Sequence, residues 1–528
     1  MSAAASPSAA PALAQWQPRA NPWLIATAVM AATFMEVLDT TVVNVSLPHI
    51  AGSLSSSIDE STWVLTSYLV ANAIILPATG WLSTVFGRKR FLLACIVLFT
   101  LASALCGASA TLGMLIVARV LQGAAGGALQ PISQAVLLES FPPAKRGVAM
   151  AAFGMGVVVA PIIGPTLGGW MTDNYSWRWV FYINLPVGLI AVMMVHFFLE
   201  DPPYIRAART GRIDVWGFLL LMIWVGSLQV VFDKGQQDDW LASTFIRTLV
   251  ITGGIGLVLF IFREFMTDAP LVNLRILGNR NFTVGVALMT LMGAVLYGSI
   301  ALLPLFLQTL MGYSAYQSGL TTSPRGFGSI VGMIIIGRIM GFLDSRMLIA
   351  IGFIIVAWST WAFGNVNLEV NSAAIMWPNI YNGFGTALIF VPLTTMTMGT
   401  LKNEQMGNAT GIFNLMRNLG GGIGIALVTT LLARGAQTNR SVLLNHVTPY
   451  DLAFQQQYSQ VEGAVAPQVG AAQAPREAYA IINGQVDRQA SLVTYVDDFR
   501  LLAIASLGCV PAVLLFKKAT VKRKVSVH

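Results

Sequence analysis

Apolar segments long enough to cross a membrane recur throughout this 528-residue sequence. A transmembrane helix needs about 20 mostly apolar residues to cross the bilayer hydrocarbon, which is roughly 30 Å thick. Hydrophobic residues make up 55% of the chain and charged residues 10%, against roughly 25% charged residues in soluble domains. The composition therefore excludes a soluble fold and predicts an all-α polytopic membrane protein. The predicted spans number about fourteen and lie near 23–47, 61–82, 91–110, 112–138, 148–171, 179–199, 214–232, 245–262, 282–310, 319–342, 347–365, 373–399, 408–433 and 499–516.

Basic residues fall on one side of this topology. Cytoplasmic loops of membrane proteins are enriched in Lys and Arg. With the N-terminus inside, the inner loops and the C-terminal tail hold Arg88, Lys89, Arg90, Lys145, Arg146, Arg206, Arg209, Arg212, Arg263, Arg275, Arg280, Arg346, Lys402, Lys517, Lys518, Lys522, Arg523 and Lys524. The short outer loops hold little beyond Arg178 and Lys234, with Arg247 near the start of a span. The asymmetry predicts an even number of spans and two cytoplasmic termini.

The segment from Gly80 to Arg90 is weakly similar to residues 337–346. This similarity predicts that the spans form two related halves. Many transporters are built from such internal repeats. The predicted organisation begins with a flexible cytoplasmic tail over 1–22 and an N-terminal six-helix bundle over 23–199. An inserted two-helix hairpin over 213–262, a C-terminal six-helix bundle over 282–516 and a basic cytoplasmic tail over 517–528 follow. The C-terminal bundle includes a long, polar, partly helix-compatible outer segment over 434–498.

Three charged residues inside the spans are the first functional candidates. Charged side chains are costly in the bilayer and usually mark a functional site. Glu36 and Asp39 lie on one helix face of the first span, and Arg119 lies in the fourth. At 1.5 Å per residue, Asp39 and Arg119 both lie roughly 20 Å above the inner surface. We expect these two to be neighbours, with Glu36 or Asp39 as the proton carrier; a static ion pair fixing two helices is the alternative.

Other polar residues are candidates for substrate contact or gating. Arg325 lies in the outer third of the tenth span, and Arg417 lies near the middle of the thirteenth, beside Asn414. A mid-membrane Arg needs a partner or water, so interhelical packing with gating is the first interpretation for both. Candidate residues for the wall of a central cavity, which could equally be packing residues, are Tyr297, Gln308, Tyr381 and Asn382.

The fifth span carries small residues and prolines at helical spacing. Small residues every four positions let another helix approach the backbone, and each proline removes a helical hydrogen bond. The pattern predicts either a helix on which the bundles rock or dense packing without movement. Its residues are Ala160, Pro161, Gly164, Pro165, Gly168 and Gly169.

The sequence contains no motif typical of a soluble enzyme. The four histidines are scattered without metal-ligand spacing, and there is no Gly-Lys-Ser/Thr phosphate loop. The net charge of +8 lies in loops and the tail and not on an aromatic-rich face, so no nucleic-acid site is predicted. We expect no enzyme activity, no metal and no cofactor, and an ion gradient as the source of energy.

Several motifs together resemble the major facilitator superfamily, and within it the fourteen-span drug:proton antiporters of the EmrB/QacA type. The first-span sequence from Glu36 to Pro48 is similar to that group's first-helix signature. Arg119 to Gly123 resembles the fourth-helix motif, whose Arg is implicated in proton coupling, and Ala160 to Gly169 resembles the antiporter motif. The superfamily's loop between spans two and three corresponds to Gly80, Gly87, Arg88, Lys89 and Arg90.

The sequence departs from the superfamily pattern at two sites. Thr84 stands where the loop usually has an acidic residue, and Val85 stands where it often has a basic one. In the antiporter motif, Ala160 replaces the first glycine. The first change puts in doubt any gating model that relies on that loop's carboxylate.

The resemblance implies two six-helix bundles with an inserted hairpin, alternating access, and export of amphipathic toxic compounds in exchange for protons across the bacterial inner membrane. The outer segment 434–498 further resembles the EmrB branch, which implies a periplasmic adaptor and an outer-membrane channel as partners. The alternatives are a proton-coupled exporter of one metabolite, such as a siderophore or fatty acid, and a non-transporting receptor or scaffold.

Overall fold

The computed structural model describes residues 18–517 except 203–204, 206–213, 268–269, 341, 446–447 and 449, and this part of the chain contains helices and no strand. The helices before residue 200 are α1 Pro22–Ser53, α2 Ile58–Ser61, α3 Trp63–Phe86, α4 Arg88–Ala108, α5 Leu112–Gly126, α6 Leu129–Ser140, α7 Arg146–Asn174, α8 Trp179–Tyr182 and α9 Asn184–Phe198. The helices after it are α10 Val215–Lys234, α11 Thr244–Met266, α12 Arg280–Leu305, α13 Ala315–Thr322, α14 Pro324–Ile339, α15 Ser345–Phe363, α16 Ser372–Met398, α17 Met406–Leu444, α18 Leu452–Val469 and α19 Ala474–Val513. Single turns of 3₁₀-helix occur at Pro143–Lys145, Trp240–Ala242, Leu274–Gly278 and Asn403–Gln405, and a π-helical turn at Phe306–Leu310.

Eleven helical stretches in the described part of the chain are long and apolar enough to cross a membrane. The predicted all-α, multi-pass architecture is therefore confirmed. The three other predicted spans lie on helices that do not meet the same criteria of length and hydropathy. Span 319–342 lies on α13 and α14, span 373–399 on α16, and span 499–516 on the end of α19. The count of fourteen stays a prediction.

Side-chain caps and one glycine set several helix ends. Asn21 caps α1 by accepting from the Trp23 amide, and Ser314 with Gln317 forms a capping box at the start of α13. The loop predicted from Gly80 to Arg90 is almost entirely helical, because only Gly87, with a φ of 84°, separates α3 from α4. A positive φ suits glycine, so the reversal takes one residue and the flanking spans are longer than predicted.

The outer segment predicted over 434–498 is also largely helical. Helix α17 continues to Leu444, α18 packs against α19, and α19 runs without a break from Ala474 to Val513. The helix-compatible part of this segment thus includes the first half of α19. The tail residues 1–17 and 518–528, and the basic residues Arg206, Arg209 and Arg212, lie outside the described part of the chain.

Packing brings the two predicted halves together along a few helices. Within the first half α1 packs on α7 and α9, and within the second α12 packs on α17 and α14 on α16. Between the halves, α3 and α6 contact α17, while α7 contacts α14 and α16. Helix α10 of the inserted hairpin contacts both α3 and α17, so the hairpin lies against both halves.

Glycines permit the closest helix crossings. A Cβ at Gly424 of α17 would meet the backbone of Ala294 in α12, and a Cβ at Gly420 would meet the backbone of Thr290. Lipid tails are as apolar as Leu, so helix association in a bilayer relies on such close packing.

Replacing Gly424 with alanine should therefore destabilise the protein by about 1–3 kcal/mol, the usual cost of overpacking. The measurement is thermal unfolding in detergent. The control is Gly254→Ala in α11, where a Cβ meets nothing within 4 Å. Equal melting temperatures for the two variants would contradict the role of this crossing.

A buried charge cluster as the candidate functional site

Asp39 and Arg119 are in direct contact inside the first half, as their matched depths predict. Arg119 Nη1 donates to Asp39 Oδ2 at 2.6 Å, and neither residue has any exposed surface. Arg119 also donates from Nε to the Val64 carbonyl at 3.1 Å and from Nη1 to Gln122 Oε1 at 2.8 Å. Its guanidinium carbon lies 4.1 Å from the centre of the Tyr68 ring, within the range of a cation–π interaction.

The second oxygen of Asp39 is held by two amides. Gln122 Nε2 and Asn184 Nδ2 donate to Asp39 Oδ1 at 2.7 and 2.8 Å, and Asn184 also donates to Ser103 Oγ at 3.0 Å. The acid on α1 is thereby linked to α5, α9 and α4. A buried ion pair is favourable only when its remaining hydrogen-bonding groups find partners, and these amides supply them for Asp39.

Glu36 belongs to a different group of residues, although it is three positions from Asp39. Asn72 Nδ2 of α3 donates to Glu36 Oε1 at 3.2 Å, and Gln130 Nε2 of α6 donates to Glu36 Oε2 at 2.7 Å. Glu36 is 5% exposed. The two acids therefore face different neighbours: Asp39 lies within the first half, and Glu36 lies beside the boundary between the halves.

Arg417 and Asn414 of α17 reach across that boundary to α6. Arg417 Nη2 donates to Gln130 Oε1 at 2.6 Å, and Asn414 Nδ2 donates to Gln134 Oε1 at 2.7 Å. The partner required for a mid-membrane Arg is thus an amide on the other half of the protein. Further along the same boundary, Arg146 Nη2 donates to Asn403 Oδ1 at 3.4 Å.

The residues of the predicted loop motif brace the ends of α3 and α4. Arg88 forms an ion pair with Glu139 at the end of α6. The Lys89 amide donates to Asp201 Oδ1 at 2.7 Å, and Lys89 Nζ donates to the His196 carbonyl at 2.5 Å, while Arg90 is exposed. A Cβ at Gly80 would meet the backbone of Asn408, so this end of α3 packs directly on α17.

The small residues predicted on the fifth span face α1. Ala160 is fully buried, and a Cβ at Gly164 or Gly168 would meet Thr41 or Val42. Gly169 has more room, since its Cβ would lie 3.9 Å from Val45.

Another face of the same helix contacts the second half, where a Cβ at Gly154 would meet Met333. Pro161 is exposed, and the side chain of Pro165 lies outside the described part of the chain. Helix α7 therefore lies between α1 and the second half, which is the position a rocking surface requires.

The remaining candidates are spread over the second half. Asn382 is buried and donates to Ser359 Oγ at 2.8 Å and Thr360 Oγ1 at 3.2 Å, within that half. Tyr381 is 44% exposed and makes an edge contact with Trp358.

Gln308 is exposed and donates to Ser318 Oγ at 3.4 Å. Tyr297 is half-buried, and its ring lies where a Cβ on Gly421 would point. The structure thus does not bring these four into one cluster.

Arg325 occupies the first turn of α14, after the break that separates α13 from α14. Its side chain borders a cavity of about 10 Å³ lined also by Met292, Phe353, Thr386 and Ser506.

Comparisons with known proteins agree with this architecture. The sequence model of the Major Facilitator Superfamily matches residues 29–425. The chain belongs to this superfamily. It is 40% identical over 446 residues to the "Multidrug export protein EmrB" of Escherichia coli K12, covering 83% of this chain and 86% of that one. It is 37% identical over 489 residues to the "Fatty acid resistance protein FarB" of Neisseria gonorrhoeae, covering 92% and 94%.

A solved structure supports the fold. The human organic anion transporter MFSD10 superposes with a TM-score of 0.57 at 15% identity and covers 93% of this chain and 100% of its own. The chain is therefore a multi-pass membrane protein of a transporter superfamily, with the major facilitator fold.

Sequence reasoning identified both acids and Arg119 but not the amides that surround them. Gln122 lies in the fourth-helix motif, yet only the folded chain brings Gln122 and Asn184 to Asp39. Asn72 and Gln130 also carried a signal, since they are polar residues within apolar helices.

Arg119→Met should destabilise the protein by about 3–5 kcal/mol, because it leaves the buried Asp39 without its cation. Adding Asp39→Asn should recover part of this loss, because the double variant has no uncompensated charge. Thermal unfolding in detergent measures both effects. A double variant that loses the sum of the two single losses would show that the pair is not coupled.

Proposed function

We propose that this protein exports amphipathic or hydrophobic toxic compounds across the bacterial inner membrane in exchange for protons. The observation that carries the proposal is the 40% identity to the "Multidrug export protein EmrB", which extends over 83% of this chain. The buried acids Glu36 and Asp39 supply groups that can bind and release protons within the membrane.

The proposed mechanism is alternating access between two bodies, residues 23–199 and 282–516, with both termini in the cytoplasm. The hydrogen bond from Arg417 to Gln130 joins these bodies near mid-membrane, and the one from Arg146 to Asn403 joins them at the predicted inner side. They support a state in which the inner side is closed. Opening that side requires these contacts to separate while helix α7 moves against α14 and α16.

Glu36 and Asp39 are the proposed proton carriers, and Arg119 is the cation that holds Asp39 when it is ionised. Protonation of Asp39 would end the charge attraction at the 2.6 Å contact with Arg119. Because Arg119 and the amides link Asp39 to α3, α4, α5 and α9, a proton on Asp39 would alter how these helices are held together. Arg417, Asn414 and Arg325 are proposed gating or substrate contacts.

A panel of unrelated lipophilic compounds added to acid-loaded reconstituted vesicles tests this function. The wild-type protein should release protons in response to several compounds, and Asp39→Asn should abolish that release. Asp173→Asn is the matched control, because Asp173 is an exposed carboxylate on α7. Undiminished proton release by Asp39→Asn would remove that residue from the mechanism.

A narrower export function is the second candidate. The relative named "Fatty acid resistance protein FarB" is similar over 92% of this chain, which favours a fatty acid as the single substrate. In the same assay, a response to long-chain fatty acids and to no other compound would replace the multidrug proposal. No solute-dependent flux under any condition would favour a receptor or scaffold.

We also propose that the outer helices bind a periplasmic adaptor, which would connect the exporter to an outer-membrane channel. Helix α18 and the first half of α19 extend beyond the predicted spans, and Tyr450 and Leu452 are 92% and 70% exposed there. A contiguous exposed apolar patch typically marks a protein-binding surface, and we propose these two side chains as the centre of such a patch.

Leu452→Asp should then reduce compound efflux from intact cells and leave transport in reconstituted vesicles unchanged, because only cells require the adaptor. The control is Gln460→Asp, at an exposed polar site on α18. If cells carrying Leu452→Asp exported the compounds as well as cells carrying Gln460→Asp, this result would contradict the proposal that the adaptor binds here.

A further inference from the structure

Gln130 is the residue that joins an acid of one half to a cation of the other. Its Nε2 donates to Glu36 Oε2 at 2.7 Å, and its Oε1 accepts from Arg417 Nη2 at 2.6 Å. Glu36 lies on α1, Gln130 on α6 and Arg417 on α17. One amide therefore spans the boundary, with each end occupied by a charged group.

The charges at its two ends orient this amide. An ionised carboxylate only accepts hydrogen bonds, and a guanidinium only donates them. The amide must then direct its NH₂ group at Glu36 and its oxygen at Arg417, which is the observed arrangement. If the amide were reversed, its NH₂ group would point at the donors of Arg417 and its oxygen would point at the carboxylate. Neither contact would then be a hydrogen bond.

A proton on Glu36 Oε2 adds a donor at a position where the carboxylate offers only acceptors. Both oxygens of Glu36 already face amide donors, Asn72 Nδ2 at 3.2 Å and Gln130 Nε2 at 2.7 Å. If the hydroxyl on Oε2 points at Gln130, it meets the NH₂ group, and the amide can accept this new donor only by turning its oxygen towards it. Its NH₂ group would then face Arg417, and an attractive contact would become one between two donors.

Arg417 depends on this contact. It is 6% exposed, its Nε has no hydrogen-bond partner, and Gln130 Oε1 is the side-chain acceptor that the described residues offer its guanidinium. A buried cation that loses its acceptor is strongly destabilised. The turn of one amide is therefore enough to weaken the contact between α6 and α17.

We propose that Gln130 is a positioning residue that transmits the charge state of Glu36 to Arg417, so that ionised Glu36 holds the inner side closed and protonated Glu36 releases it. This inference rests on the proposed proton exchange and specifies how the proton acts. Its direction suits an antiporter, since a proton taken up from outside would favour the return to the inward-open state.

The other charged and titratable groups around Glu36 do not join the two halves. Asp39 and Arg119 pair with each other within the first half, and Tyr68 lies against Arg119. Asn72 is an uncharged neighbour on α3. Among the described residues, Gln130 is thus the hydrogen-bonded link from Glu36 to the second half.

The chain contains a matched control one helical turn away. Gln134 of α6 accepts from Asn414 of α17 at 2.7 Å, so it also joins the halves through an amide. Neither Gln134 nor Asn414 is charged. Loss of the Gln134 contact should weaken the closed state equally at every pH, whereas loss of the Gln130 contact should remove the pH dependence.

The test measures the separation of the two halves on the inner side in the full-length protein. Spin labels at Arg90→Cys and Met347→Cys, both exposed positions, report the separation by pulsed electron resonance. The buried Cys95, Cys106 and Cys509 are first replaced by Ala. In this background, acidification should raise the ratio of open to closed molecules by about fivefold or more, the lower end of ordinary allosteric couplings.

Gln130→Leu should leave a ratio that changes less than about twofold with pH, and Glu36→Gln should give the same flat response. Gln134→Leu should shift the ratio and keep its pH dependence. A Gln130→Leu protein that opens on acidification as the unaltered background does would overturn the inference. That result would leave the export proposal intact, because the vesicle assay tests export separately. A pH response that depends on Gln130 in a protein without solute flux would support the inference and remove the export function.

Discussion

The absence of water in the bilayer hydrocarbon is the constraint on which the rest of this structure depends. Backbone groups there must find partners within their own segment, so the chain between the caps is helical. The same constraint applies to side chains, since a buried charge without a partner is costly. Asp39 and Arg119 meet this requirement through each other and through the amides of Gln122 and Asn184. Helices α1, α4, α5 and α9 are therefore joined through this ion pair and its amides.

The two acids of α1 differ in what surrounds them, and that difference suits different tasks. Every described hydrogen-bond partner of Asp39 lies within the first half, so its charge acts on the internal order of that half. Glu36 is linked through Gln130 to Arg417, so its hydrogen bonds reach the boundary between the halves. Three residues of separation place the acids on one side of the helix, yet α6 lies beside one and α5 beside the other. In the proposed mechanism, protons would therefore act both within one body and between two bodies.

Close backbone approach complements these polar contacts. Gly164 and Gly168 bring α7 against α1, and Gly80 brings α3 against α17. Polar side chains can reach one another across a boundary only when the helices are this close, because a hydrogen bond requires about 3 Å between heavy atoms. The glycine motifs and the charge cluster are thus parts of one arrangement. Small residues set a short distance between helices, and the amide and charged side chains form hydrogen bonds across that distance.

The sequence by itself determined the helical, multi-pass class, most span positions and the pairing of Asp39 with Arg119. These follow from local properties: apolar length, helix rise, and the cost of charge in lipid. The helical link at Gly87, and the partners Asn72, Gln130 and Asn184, were decided by tertiary structure. A glycine turn and a polar residue in a span are visible in the sequence, but their neighbours are not. Gln130 and Arg417 are 287 positions apart, and no local pattern encodes which faces of α6 and α17 meet. That choice depends on packing all the helices at once, which only the folded chain resolves.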